Sequence, residues 1–233
     1  MKEIRSLPRA FVVIEDAQNV SNFDIPDAEF KKIHNVLRLR TGDKLAFLPN
    51  DGTLLVCELE GRRAKVLDRL PLDTDAKMRL TLAVAYLKSD GLDEVIRMGA
   101  ELGVAEFILF PTDRTVVKWE GPKLQDRLRR WNAIAQEACE VALRSRLPVI
   151  RVEKGLAAVL EDPAAYVLSE ANGLPRDLSA ISNLDTLTLV SGPEGGWSPR
   201  EFQLIGDRGI SMGPRILRAT TAPVGAAAAL LCR

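Results

Sequence analysis

Apolar and polar positions fall into two regimes along the chain. Up to residue 71 the pattern is short and alternating, predicting strands over residues 10–14, 44–48, 54–59 and 64–67, with Asn50-Asp51-Gly52 as a hairpin turn. One helical stretch interrupts them, with Asp24 expected at its N-cap and Phe30, Ile33 and Leu37 sharing a face, so that His34 and Arg38 project away from the stripe. The polar, aperiodic run Pro71-Leu72-Asp73-Thr74-Asp75 then predicts a domain boundary, giving a β-rich unit over 1–71 and a second domain over 72–233.

Beyond it, longer apolar runs alternate with helical periods. Strands are predicted over 80–86, 104–110, 149–152, 165–169 and 187–190. Ser89 is expected to cap a helix carrying Leu92, Val95, Ile96 and Gly99, which Gly103 ends. Pro122 sits in the first turn of a long helix whose Leu124, Leu128, Trp131, Ile134, Ala135 and Ala138 share a side, closed by Pro148; Trp131 reads as core. Ser198-Pro199-Arg200-Glu201 is a capping box opening another helix. The economical architecture is α/β, a mainly parallel sheet flanked by helices.

Composition narrows the class. Hydrophobic residues make up 46% of 233, enough for a packed core without staples. The cysteines, Cys57, Cys139 and Cys232, are scattered and odd in number beside a single histidine, so no metal site is expected and buried reduced thiols are. The absence of a leader pattern and of any bilayer-length apolar run gives the expectation of a cytoplasmic protein without a membrane partner. Lys and Arg total 32 against 32 Asp and Glu, so any nucleic-acid binding must come from local patches rather than from overall charge. Such patches are Arg5 with Arg9, Lys31 and Lys32 with Arg38 and Arg40, and Arg127 with Arg129 and Arg130, each of which also reads as a solvated helix face.

The chemistry is concentrated near the C-terminus. Ser191-Gly192-Pro193-Glu194-Gly195-Gly196 follows a strand directly, and Met212-Gly213-Pro214-Arg215-Ile216-Leu217-Arg218 leads into the small-residue segment over 219–226. Glycines let backbone N–H and C=O groups approach a ligand, and the prolines stiffen the turns. Neither loop has the G-x-G-x-x-G or G-x-x-x-x-G-K-[ST] spacing of the common dinucleotide and nucleoside triphosphate sites. Two Gly-Pro loops feeding two helices suggest one shared pocket.

The pair G-P-E-G-G and G-P-R-I-L-R resembles the C-terminal signature of the RsmE-type 16S rRNA uridine-N3 methyltransferases of the SPOUT superfamily. Further matches are His34-Asn35-Val36-Leu37-Arg38-Leu39 with Gly42-Asp43, then Lys88-Ser89-Asp90, then Glu101-Leu102-Gly103-Val104 with Pro111-Thr112, so the resemblance covers nearly the whole chain. It implies a SPOUT domain with a deep trefoil knot over 72–233, preceded by a small PUA-like β-barrel over 1–71 that binds RNA. It also implies S-adenosylmethionine as cofactor, 16S rRNA within the small ribosomal subunit as partner, and a homodimer. The expected cofactor-binding residues are Leu168, Glu170, Gly192, Pro193, Glu194, Gly195, Gly196, Met212, Gly213, Ile216, Leu217 and Arg218.

Uracil N3 carries a proton at neutral pH and becomes nucleophilic only as that proton leaves, so the site must accommodate negative charge on the ring, best met by fixed cations. The resemblance therefore puts Arg144 and Arg218 in catalytic positions, and Arg5, Arg9, His34, Arg38, Lys88 and Arg114 on the RNA. N3 lies on the pairing edge, so the target nucleotide must be unpaired or flipped. No metal is required, because the sulfonium already activates the methyl group. Two departures from the family stand out: Thr220 where a glutamate is usual and Val141 where a glutamine is. They keep open a ribosome-associated RNA-binding protein that retains the pocket without turnover, and a SPOUT enzyme acting on another RNA.

Overall fold

The computed structural model describes residues 2–14, 16–170 and 177–232, and the chain divides into two compact units. Unit 1 comprises Met1–Asp75 together with Cys139–Leu147; unit 2 comprises Ala76–Ala138 and Pro148–Arg233. The nine-residue return of Cys139–Leu147 to unit 1 departs from the single cut at residue 71, because the end of a long helix carries the partners of unit 1's buried polar groups. Glu140 accepts from the Phe11 amide at 3.1 Å and pairs with Lys32, while Arg144 and Ser145 bond the Asp75 carboxylate at 3.2 and 2.7 Å.

Unit 1 begins with α1 (Lys2–Ser6), β1 (Arg9–Phe11) and β2 (Asn22–Asp24), followed by α2 (Asp27–Lys31), which runs on as a π-helical turn over Lys32–Val36. Three longer strands complete it: β3 (Lys44–Leu48), β4 (Thr53–Glu60) and β5 (Arg63–Pro71). The five strands lie in the order β1-β3-β4-β5-β2, antiparallel except for β1 beside β3. Their core faces supply Leu45, Phe47, Leu55, Cys57 and Ala64, against which Ile33 is fully buried and Phe30 and Leu37 half-buried, as their spacing predicts. Asn50 and Gly52 both take positive φ in the β3–β4 turn, the backbone that Asn-x-Gly favours.

Asp24 is not a helix cap. It belongs to β2, opposite and ion-paired with Arg63, and Pro26 with φ −55° stands at the N-cap of α2. Proline's fixed φ starts this helix, with Asp27 and Glu29 complementing the positive end of its dipole.

Unit 2 alternates as its periodicity predicts. Its elements are β6 (Arg79–Ala85), α3 (Gly91–Leu102), β7 (Glu106–Phe110), α4 (Gly121–Ala142, its last turn in unit 1), β8 (Val149–Val152), α5 (Leu156–Val159) and β9 (Ala165–Leu168). These are followed by β10 (Thr186–Ser191), α6 (Pro199–Ile205), β11 (Gly209–Ile210) and α7 (Thr221–Leu231). All six strands are parallel, in the order β11-β9-β10-β6-β7-β8. The continuous apolar run over 82–87 is buried because helices cover a parallel sheet. Gly99 is the contact point of α3 with the sheet, where a Cβ would lie 2.8 Å from the Phe107 ring. Gly103 ends α3 in the left-handed conformation (φ 104°). Ser89 does not cap that helix: its φ is 52°, Asp90 holds the N-cap position, and neither side chain bonds the first turn.

Trp131 is wholly buried and donates from Nε1 to Asp93 at 3.0 Å, the carboxylate that also receives Arg130. Helix α7 buries Pro223, Ala226, Ala227 and Leu230 against α3, β6 and β10 of its own unit.

Candidate functional site

The strand order decides where a ligand fits. The chain lays down β6, β7 and β8 outward in one direction, crosses to β9 on the other side, and then inserts β10 between β9 and β6. Connections therefore leave in opposite directions from the carboxyl ends of β6 and β10, which opens a crevice there. A cavity of about 670 Å³ occupies it, floored by Leu168, Ser169 and Glu170 after β9, by Ser191 and Gly192 at the end of β10, and by Met212 and Gly213 after β11.

The first glycine loop is a braced turn. Gly196 has φ 67° and donates to the Pro193 carbonyl at 2.9 Å. Glu194 reaches out of the loop to accept from the Lys88 amide at 2.9 Å, and Arg114 donates to the Gly195 carbonyl at 2.9 Å. A Cβ at Gly192 would sit 2.9 Å from the Trp197 ring, whose Nε1 donates to the Leu168 carbonyl at 3.3 Å, so this indole locks the ends of β9 and β10 together.

Behind the loop, the capping box that Ser198 and Glu201 predict is complete. Glu201, 1% exposed, accepts from the Ser198 amide at 2.9 Å and from the Asp113 amide at 3.0 Å. Ser198 Oγ donates to Asp113, and Arg200 bonds the same carboxylate. The Arg200 and Ser198 hydrogen bonds hold Asp113 below its ordinary pKa of 3.8.

The second loop turns at Gly213 (φ 92°), whose amide donates to Ser211 Oγ at 3.1 Å. It ends at Arg218, whose carbonyl accepts from the Thr221 and Ala222 amides at 2.9 Å each and thereby starts α7. The Arg218 side chain is exposed at the rim of the cavity.

Leu168, Glu170, Gly192, Pro193, Glu194, Gly196, Met212, Gly213, Ile216, Leu217 and Arg218 all line the one cavity. Gly195 does not: its Cβ position faces Arg114 at 3.2 Å, making it a packing point behind the loop. Lys88, expected on RNA, lines the cavity too, whereas Arg114 spends a guanidinium N–H on the Gly195 carbonyl. Arg5, Arg9, His34 and Arg38 lie in unit 1, where Arg9 donates to the Arg5 carbonyl at 3.4 Å and His34 sits beside Arg40.

Arg144 is not in the cavity lining. It is 4% exposed in unit 1 and its Nε bonds Asp75 at 3.2 Å, a carboxylate partner that offsets the cost of burying the guanidinium. Of the two family departures, Thr220 lines the cavity and Val141 is exposed on the last turn of α4.

Geometry adds Gly91, Glu94, Trp197 and Arg215 to the lining. Trp197 follows the glycine pair directly, and Glu94 lies on the first turn of α3, off its apolar stripe; each becomes a site residue only when the strand order brings β6 beside β10.

Comparison with known proteins places the chain. Residues 74–231 match the family described as RNA methyltransferase domain. The chain is 29% identical to ribosomal RNA small subunit methyltransferase E of Bacillus subtilis (strain 168) over 93% of this chain and 92% of that one. It is 32% identical to the protein of the same name from Synechocystis sp. over 86% and 70%. The crystal structure of ribosomal RNA small subunit methyltransferase E from Neisseria gonorrhoeae bound to S-adenosyl methionine superposes with a TM-score of 0.83 at 26% identity, covering 96% of both chains. With the family match running over 74–231 and a relative at 32% identity covered over 70% of its length, the chain belongs to the RNA methyltransferase family and, within it, to the ribosomal RNA small subunit methyltransferase E group.

Proposed function

We propose that this protein methylates N3 of a single uridine in the 16S RNA of the small ribosomal subunit, with S-adenosylmethionine as donor. The observation that carries the reading is the convergence of both Gly-Pro loops on one cavity at the carboxyl ends of β9, β10 and β11.

The cavity fits the cofactor on its own terms. Its 670 Å³ is within the ~300–1,000 Å³ of small-molecule pockets. Leu168, Trp197, Met212, Ile216 and Leu217 give apolar surface for a purine, and Glu94, Glu170 and Glu194 suit ribose hydroxyls and cationic groups. A Cβ at Gly196 or Gly213 would meet nothing within 4 Å, so both loops present bare backbone to a ligand. S-adenosylmethionine supplies, when bound, a methyl group already activated by positive sulfur.

The residues then have two tasks. Loop backbone and Glu194 hold the donor so that methyl transfer is in line, which removes much of the entropic barrier. Arg218, exposed at the rim and at the N-terminal end of α7, offers a fixed positive charge as N3 loses its proton and the ring becomes anionic. Arg5, Arg9, His34 and Arg38 of unit 1 hold the RNA, with Lys88 near the reacting nucleotide.

The finer architecture follows the same reading. The insertion of β10 between β9 and β6, with α7 returning onto α3, suits a deep trefoil knot, and the five strands wrapped on the Phe47 core suit a PUA-like barrel. Helix α7 is apolar all round, and its Val224, Ala228, Ala229 and Leu231 are not fully covered by their own unit, which supports pairing with a second copy. A ribosomal substrate and buried free thiols at Cys57 and Cys139 agree with a cytoplasmic setting.

Incubation with methyl-labelled donor and either naked small-subunit RNA or assembled subunits tests the proposal. Label entering this RNA supports it; cofactor binding without transfer to either substrate would favour an RNA-binding protein that keeps only the pocket.

A further inference from the structure

We propose that a second, smaller hollow in unit 1, beside His34, receives one unpaired nucleobase of the RNA. This rests on RNA being the substrate and concerns how unit 1 holds it.

The hollow measures about 140 Å³. That is several times the ~30 Å³ share of one water and well below the ~300 Å³ where pockets for larger ligands begin, leaving room for one small planar ring. Its floor is apolar, from Ile33, Leu39 and Leu59, and its wall is a ring pair: Phe30 and His34 lie 5.7 Å apart, tilted by 35°. The Arg62 guanidinium covers the Phe30 ring at 4.6 Å, a cation–π contact that fixes the phenyl group.

The polar side of the hollow is held in place as well. Arg40 Nη1 donates to the carbonyls of His34 and Leu39 at 3.3 and 3.2 Å and sits 3.4 Å from the imidazole nitrogens, and the Arg40 amide bonds Asp43. Thr41 Oγ1 accepts from the Gly61 amide at 3.1 Å and keeps its own O–H as a donor at the mouth.

The backbone that sets this up is unusual. His34 lies in the π-helical turn Lys32–Val36, closed by the Leu37 amide donating to the Lys32 carbonyl at 3.0 Å, and Arg38 follows in the left-handed region at φ 58°. A π turn and a non-glycine residue at positive φ are both locally unfavourable, and such features gather at functional sites. Together they bring Arg40 back against His34.

Charge selects the occupant. Lys31 and Arg38, each next in the chain to a residue that lines the hollow, are exposed and, among the described residues, make no ion pair with a carboxylate. An apolar slot walled by aromatic rings and flanked by such cations suits a base whose own backbone carries phosphates on both sides. A neutral apolar side chain would leave those cations unanswered.

The test uses the intact protein and labelled ribonucleotide pentamers of each base, with and without an abasic central position, read by fluorescence anisotropy. Stacking a single base predicts that at least one pentamer loses about tenfold or more in affinity when its central base is removed. The double variant His34→Ala with Arg40→Ala, both side chains being exposed, should keep its thermal midpoint and bind the two forms of that pentamer alike. Equal binding of intact and abasic pentamers by the wild-type protein, for all four bases, would overturn the proposal, as would a double variant that still discriminates fully. Methyl transfer to small subunits, measured on the same preparation, separates the two readings: transfer without base discrimination refutes the hollow alone, and discrimination without transfer refutes the methyltransferase reading alone.

Discussion

Glu194 accepts a hydrogen bond from the backbone amide of Lys88 at 2.9 Å, tying the first glycine loop after β10 to the segment that follows β6. These two strands are neighbours in the sheet but far apart in the chain, and the crevice opens between their ends. The carboxylate of the G-P-E-G-G motif therefore shapes the pocket as well as lining it.

Removing that tie should loosen cofactor binding. A charge-assisted hydrogen bond contributes about 1.5 kcal/mol or more, so Glu194→Ala should weaken affinity for S-adenosylmethionine by roughly tenfold. Glu194→Gln, which keeps an acceptor, should lose less. Calorimetric titration of both variants checks this; equal losses would mean that charge, not the bond to Lys88, is what matters.

The glycines of the first loop should differ in their tolerance. Gly192→Ala forces a methyl group to within 2.9 Å of the Trp197 ring, and the indole must then give up its bond to Leu168 or the loop must move. We expect lowered thermal stability together with weaker cofactor binding. Gly195→Ala meets Arg114, its stem at 3.2 Å and its carbonyl oxygen at 3.5 Å, outside the cavity, and should bind nearly as the wild type does.

Two arginines should separate by readout. Arg218→Ala should cut turnover by on the order of a hundredfold with little change in cofactor affinity, since in the proposed reaction its charge acts on an anion that develops during transfer. Higher pH should partly rescue it, because solvent then helps remove the N3 proton. Arg144→Ala leaves Asp75 without its cation and should cost about 3 kcal/mol of stability, the low end for breaking a buried pair because Asp75 keeps its bond from Ser145 and some contact with water. Melting curves and single-turnover rates of the two variants should show opposite patterns.

Acid should loosen the brace behind the first loop. Asp113 has a folded-state pKa below its ordinary 3.8, owing first to the hydrogen bond from Arg200 and then to that from Ser198. Its contribution to stability is therefore complete above that ordinary value and disappears as pH falls through the lower, folded-state one. Thermal midpoints of the wild type and Asp113→Asn should converge as pH drops below 3.8 and separate above it. A constant gap across that range would show that the Asp113 charge is idle.

Local signals were legible in the residues themselves. Ser198-Pro199-Arg200-Glu201 is a capping box in the structure, Gly103 ends α3 at positive φ, and both Gly-Pro loops border one cavity. What escaped is non-local or very short. Strand β11 has two residues and no period to read; Asp24 pairs across a sheet that its neighbours do not announce; Arg144 finds a partner 69 positions away. Glu94 and Trp197 join the site only through the strand order, which periodicity does not encode.

The central claim is the site of methylation. Small subunits from cells lacking this protein, incubated with it and S-adenosylmethionine, should yield nuclease digests in which mass spectrometry finds N3-methyluridine at one position of the 16S RNA, absent with Arg218→Ala over the same time. Methyl groups on a different atom, on a different RNA, or on no RNA at all would contradict the account.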